Sequence, residues 1–216
     1  MTHRAIKETI NLAKTHELKT GHLAGILDRV ITSGVHIAIK LPEERATETL
    51  LNFVIAYIEH VPSFLEAARD ITESANLQPL TTPILALAEN YFIKPPEIVS
   101  GHVGLDELMD EAYLAHRLME EVNDRLMMRT GVPLLPMDMT MSNIVIHSLI
   151  GEPFANELDD AVHYAVDLLM AKESIYHNDA FERYVEQHQH NRWSKELERW
   201  PCLMDELAIE LQFNAV

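Results

Sequence analysis

The sequence predicts an all-α protein, a single-domain multi-helix bundle with two largely buried central helices, and three observations carry that reading. Only seven glycines occur in 216 residues. Long stretches are rich in Ala, Leu, Glu and Met, which favour helix over strand. Ten prolines then fall at intervals that suit helix starts and stops, because a proline lacks the N–H that an interior helical position needs.

The elements follow in chain order. The amphipathic opening predicts helices over 4–15 and 18–33. Pro42 and Pro62 bracket a helix over 43–60, and a second follows over 63–74. Pro83 opens a helix over 83–92, which ends before Pro95 and Pro96. The stretch 105–129 puts Leu108, Ala112, Ala115, Leu118, Met119, Val122 and Leu126 on one face, with Asp106, Asp110, Arg117, Glu121 and Asp124 on the other. Helices over 139–150, 155–174 and 180–189 come next. A final pair spans 194–200 and 202–212, the latter with a Leu203, Leu207, Leu211 stripe. Segment 35–41 is the only strand candidate, with nothing evident to pair with it. The stretch 49–58 carries no formal charge, and 131–150 carries only Asp138, so these two are the expected central helices.

An apolar fraction of 47% with 24% charged residues is ordinary for a folded globular chain, and one core over residues 1–216 is the expected organisation. The net charge of −17 argues against nucleic acid or anionic lipid as a general partner. Residues 1–45 hold seven Lys/Arg against five Asp/Glu, and the rest ten against twenty-nine, so a mildly basic segment precedes a strongly acidic body. The lone Cys202 excludes an internal disulfide and a cysteine zinc site, and suits a reducing compartment. No signal-peptide pattern and no apolar run of about eighteen residues is present, so a cytoplasmic location off the membrane is expected.

Phosphate-binding glycine loops, a GxSxG elbow, HExxH and paired ExxH motifs are all missing. Arg183 and His188 match the Arg-four-His spacing of small helical ribonucleases, but no basic patch accompanies them. More informative are polar stripes on helices that are otherwise apolar: Thr140, Asn143 and His147 on one, Glu48, Asn52 and Glu59 on another, with Glu111 at the edge of an apolar face. A buried polar group needs a hydrogen-bonding partner, so such groups are expected to meet each other. Glu59, Glu111, Asn143 and His147 are therefore the candidate internal ligand-binding residues. His116 and Glu120, one helical turn apart, and His147 are candidate ligands for Fe, Mn or Zn. Met127, Met128, Met137, Met139 and Met141 gather around the two-proline loop 132–136, where thioethers can line an adaptable groove.

The leading expectation is a non-catalytic module that binds protein or a small ligand, acts as a homodimer, and exposes an apolar patch at Leu134, Leu135 and Met137 or over 200–213. The alternative is a metal-dependent oxidoreductase with an internal carboxylate and histidine site, for which the helix content is compatible with a heme-oxygenase-like bundle. Neither reading assigns a catalytic residue.

Overall fold

In the computed structural model, residues 2–34, 39–42, 44–99, 104–173, 176–189 and 209–211 are described. Helix α1 (Thr2–Thr20) runs unbroken across the joint expected near residue 16, and the turn falls instead between it and α2 (His22–Ser33). The reason is local. Gly21 takes a left-handed conformation with φ 60°, which glycine adopts without a Cβ clash, and the Glu17 carboxylate accepts from Leu23 N at 2.8 Å and Ala24 N at 2.9 Å. Those are amide groups that a helix start leaves without an internal partner.

Helix α3 (Ala46–Ser74) joins the two helices expected at 43–60 and 63–74 and passes through Pro62. Proline there removes one hydrogen bond to the preceding turn, yet Val61, Pro62, Phe64 and Leu65 are all buried, so tertiary packing outweighs local propensity. Helix α4 (Gln78–Ile93) starts earlier than the expected residue 83. Pro79 sits in its first turn, where a missing N–H costs no helical bond, and Pro83 is carried inside. A short 3-10 turn (Glu97–Val99) leads to α5 (Leu105–Thr130), α6 (Thr140–Ile150), α7 (Phe154–Met170) and α8 (Asp179–His188).

Segment 39–40 does find a partner. Strand β1 (Ile39–Lys40) pairs antiparallel with β2 (Glu210–Leu211), Ile39 opposite Leu211. The end of the helix expected at 202–212 is therefore strand, with Ile209 buried beside it. The rest of that helix, with Leu203 and Leu207, and the helix expected at 194–200 lie outside the described residues.

The centre of the bundle is α5, which packs against α1, α2, α3, α4, α6 and α7. Every residue from Leu108 to His116 is buried, so its charged side chains Asp110 and Glu111 lie inside as well. Of the two helices expected to be central, α3 packs against α1, α2, α4 and α5 and buries Leu50, Phe53, Val54, Tyr57 and Ile58, with Asn52 exposed. Helix α6 packs against α5 and α7, burying Val145, Ile146 and Leu149 but leaving Ile144 39% exposed. Low charge marked these helices, but position in the bundle is set by how many neighbours a helix has. The buried apolar side chains of α1 to α8 form one contiguous core. Among the described residues, no helix is long and apolar enough to cross a membrane.

Loop 131–139 leads from α5 to α6. Asn123 on α5 pins it, accepting at Oδ1 from Leu134 N (2.9 Å) and Leu135 N (3.0 Å) and donating from Nδ2 to Leu135 O (2.8 Å). The Tyr184 hydroxyl donates to Pro133 O and Leu134 O from the α8 side. Leu134 and Leu135 are consequently buried, and the exposed patch expected there does not form.

Candidate functional site

Helices α5, α6 and α7 enclose a cleft of about 350 Å3 lined by Tyr113, Arg117, Glu120, Thr140, Asn143, Ile144, His147 and Asp159. Spacing on each helix supplies its polar wall: Tyr113, Arg117 and Glu120 lie four and three apart on α5, and Thr140, Asn143 and His147 three and four apart on α6. Asp159 faces them from α7.

The wall is one hydrogen-bonded network. Arg117 donates from Nε to Asp159 Oδ1 at 2.8 Å and from a terminal nitrogen to Glu120. Glu120 also accepts from the Thr140 hydroxyl at 2.8 Å and from Asn143 Nδ2 at 2.7 Å. Asn143 Oδ1 in turn accepts from the buried Tyr57 hydroxyl at 2.6 Å, which ties α3 to the cleft. Burial opposes the Arg117 charge, but the Asp159 and Glu120 carboxylates outweigh it and hold the guanidinium charged. Burial and the adjacent Asp159 carboxylate both push the Tyr113 hydroxyl up, so it remains a proton donor.

Proton counting fixes the tautomer of a neutral His147 ring. The Tyr113 hydroxyl has one proton and donates it to Asp159 Oδ1 at 3.0 Å, since a carboxylate only accepts. His147 Nδ1, 2.9 Å from that hydroxyl and 3.4 Å from Asp159 Oδ2, must then be the protonated nitrogen. In the neutral ring this leaves Nε2 as an acceptor, 3.8 Å from the exposed Glu152 carboxylate.

A second polar cluster lies behind Tyr57. The His116 ring stacks on Tyr57 with centroids 4.1 Å apart, and its Nδ1 donates to Ala112 O at 2.9 Å. Its Nε2 therefore accepts, and His60 Nδ1 donates to it across 3.0 Å. Burial lowers both imidazoles, His60 to about 4, so the pair is neutral at pH 7. Glu111, 2% exposed, is raised to about 8 by burial and by the nearby Glu107 and Asp110 charges; its Oε2 has no hydrogen-bonding partner among the described residues.

Of the candidate ligand residues, Asn143 and His147 therefore share the cleft, with Glu120 beside them. Glu111 is buried but does not line it. Glu59 is on the surface, paired with Lys14 at 2.5 Å, and Glu48 is likewise exposed and paired with Arg45. Of the metal candidates, Glu120 and His147 share the cleft while His116 faces His60 outside it, and among the described residues no group of three His, Cys, Asp or Glu is placed to hold a metal ion. Arg183 is exposed, while His188 turns back to the Tyr184 carbonyl.

The chain matches no protein-family model, no curated protein and no solved structure. Sequence reasoning missed Tyr57, Tyr113 and Asp159 and placed Arg117 on the solvent face. One signal was available for Arg117: it has Tyr113 and Glu120 one turn away on either side, a polar row broad enough to need a polar neighbour rather than water.

Proposed function

We propose that the protein is a small-ligand-binding helical module whose site is the cleft between α5, α6 and α7. The observation that supports this most is the division of labour within the network. Glu120, Asn143, Tyr113 and Asp159 are held by each other and by Arg117, while the His147 Nε2 acceptor is left to an incoming group. A volume of about 350 Å3 with a few converging polar groups suits a small molecule. The metal-dependent oxidoreductase reading has less support, because His116, one of its three proposed ligands, lies outside the cleft that holds Glu120 and His147.

The test is a titration with acetamide, methylammonium and acetate, followed by 15N NMR of the His147 ring and the Asn143 side-chain amide. At least one probe should move both signals to saturation. Ile144→Trp, which fills the partly exposed mouth, should abolish the effect. Signals that stay fixed with all three probes, or that move equally in the Trp variant, would contradict the reading.

A further inference from the structure

The cleft does not end at Glu120 and Thr140. The same two residues form one wall of a second cavity of about 340 Å3, lined further by Asn123, Asp124, Met127, Gly131, Pro133, Leu135, Pro136, Met137, Asp138 and Met139. The two cavities are therefore neighbours across a shared polar partition. Their chemistry differs: the first is walled by hydrogen-bonding groups, the second by three thioethers, two prolines and a leucine.

Charge has the same sign in both. The second cavity has three acids, Glu120, Asp124 and Asp138, and none of its lining residues is Lys, Arg or His. Asp124 forms no hydrogen bond or ion pair among the described residues, and partial burial together with the Glu120 and Glu121 charges raises its carboxyl, as a negative local potential requires. In the first cavity Arg117 faces two carboxylates, and the exposed Glu152 carboxylate lies 3.8 Å from His147 Nε2. A cation entering there meets uncompensated negative charge, whereas an anion is repelled.

We infer that the ligand is a small amphipathic cation, with a protonated amine held in the polar cleft at His147 and Glu120 and an aliphatic tail laid along the trough of Met127, Met137 and Met139. This rests on the cleft being the binding site. The ammonium donates to His147 Nε2, which has no proton of its own in the neutral ring, and gains from the surplus carboxylates. The tail loses water against flexible thioethers, which adapt to its shape. Each buried methylene strengthens binding about fourfold.

The inference is tested by calorimetric titration of the full chain with butylammonium, hexylammonium, 1-hexanol and hexanoate. Hexylammonium should bind tightest of the four and about 15-fold more tightly than butylammonium. The variant Asp124→Asn with Glu152→Gln, both exposed acids, should weaken hexylammonium about tenfold at low salt and leave hexanol unchanged. Met127→Ser, at a half-exposed position, should erase much of the chain-length dependence. Equal binding of hexanol or hexanoate would overturn the cationic head, and equal binding of the two amines would overturn the tail, while in either case movement of the His147 signal would leave the cleft standing. Tighter binding of Nα-acetyl-lysine methylamide would make the occupant a peptide and overturn the small molecule. No movement of His147 with any compound would remove the cleft and the inference together.

Discussion

Helix α5 carries two polar clusters, and they solve the problem of polar groups inside a bundle in opposite ways. Toward α6 and α7, Arg117 sits between Asp159 and Glu120, all partly wet, and the charges persist because each has an opposite partner. Toward α3, the His60 and His116 rings bond to each other and His116 to the Ala112 carbonyl, and both survive burial by staying neutral. Glu111 belongs to the same dry regime, neutral at pH 7 because its charge is opposed by burial and by neighbouring acids. The contrast teaches that a polar residue on a buried helix marks a candidate site where it stays ionised beside a cavity. The cleft residues do so, whereas the dry clusters are neutral at pH 7.

The comparison breaks most readily at Arg117. Replacing it with methionine leaves two carboxylates side by side, each about one-fifth exposed or less, without their shared cation. Breaking such a pair costs about 3 to 5 kcal/mol, so urea denaturation of Arg117→Met should show a loss of that order. Adding Asp159→Asn and Glu120→Gln should restore part of it. A loss below about 1 kcal/mol would mean that the cleft charges behave as solvated surface pairs.

The dry regime is sharpened by pH. Glu111 has its folded value raised to about 8 from 4.5, so the folded state holds a proton that the unfolded chain releases. Its stabilising contribution is complete below about 4.5 and is lost as pH rises through 8. Glu111→Gln removes the titrating group, and its unfolding free energy by urea denaturation should fall less than wild type's between pH 6 and 9, by an amount on the order of a few kcal/mol. His60 runs the other way. Its folded value of about 4 lies below 6.5, so its contribution is complete above 6.5 and is lost as pH falls through 4. Identical pH dependence in the Glu111 variant would place that carboxyl in water.

Smaller effects come next. His116→Phe keeps the ring against Tyr57 and Phe64 but removes the acceptor of the His60 Nδ1 proton, while Ala112 O keeps its helical bond, at a cost of about 1 to 3 kcal/mol by denaturant titration. It should leave hexylammonium binding intact, because the pair lies outside the cleft. The least effect belongs to Glu59→Gln. Its bond to Lys14 is half-exposed, so stability should change by about 1 kcal/mol or less and binding not at all.

How far the sequence reached can be judged from these same residues. Helicity was legible because glycine scarcity, composition and proline spacing all point one way. The merger at Pro62 was not legible, since burial of the surrounding side chains overrode a local breaker, and neither was the pairing of Ile39 with Leu211, a contact between distant segments. On α6 the Thr140, Asn143, His147 stripe was readable because polar residues interrupt an apolar helix, and it does line the cleft. The analogous Glu48, Asn52, Glu59 stripe on α3 faces water, and nothing local separates the two. The deciding partner, Asp159, lies on another helix and looks like any surface acid in sequence. Charge count also misled: α5 is the most enclosed helix despite its many acids, because periodicity reports one face and not the number of neighbours.

The account rests on the claim that the polar cleft receives a ligand while the dry cluster serves only the fold, and 15N NMR of the histidine rings during hexylammonium titration tests it most directly. The account predicts that the His147 signals move to saturation while His60 and His116 hold still as neutral, Nδ1-protonated rings. Movement of His60 and His116 with His147 unchanged would contradict it.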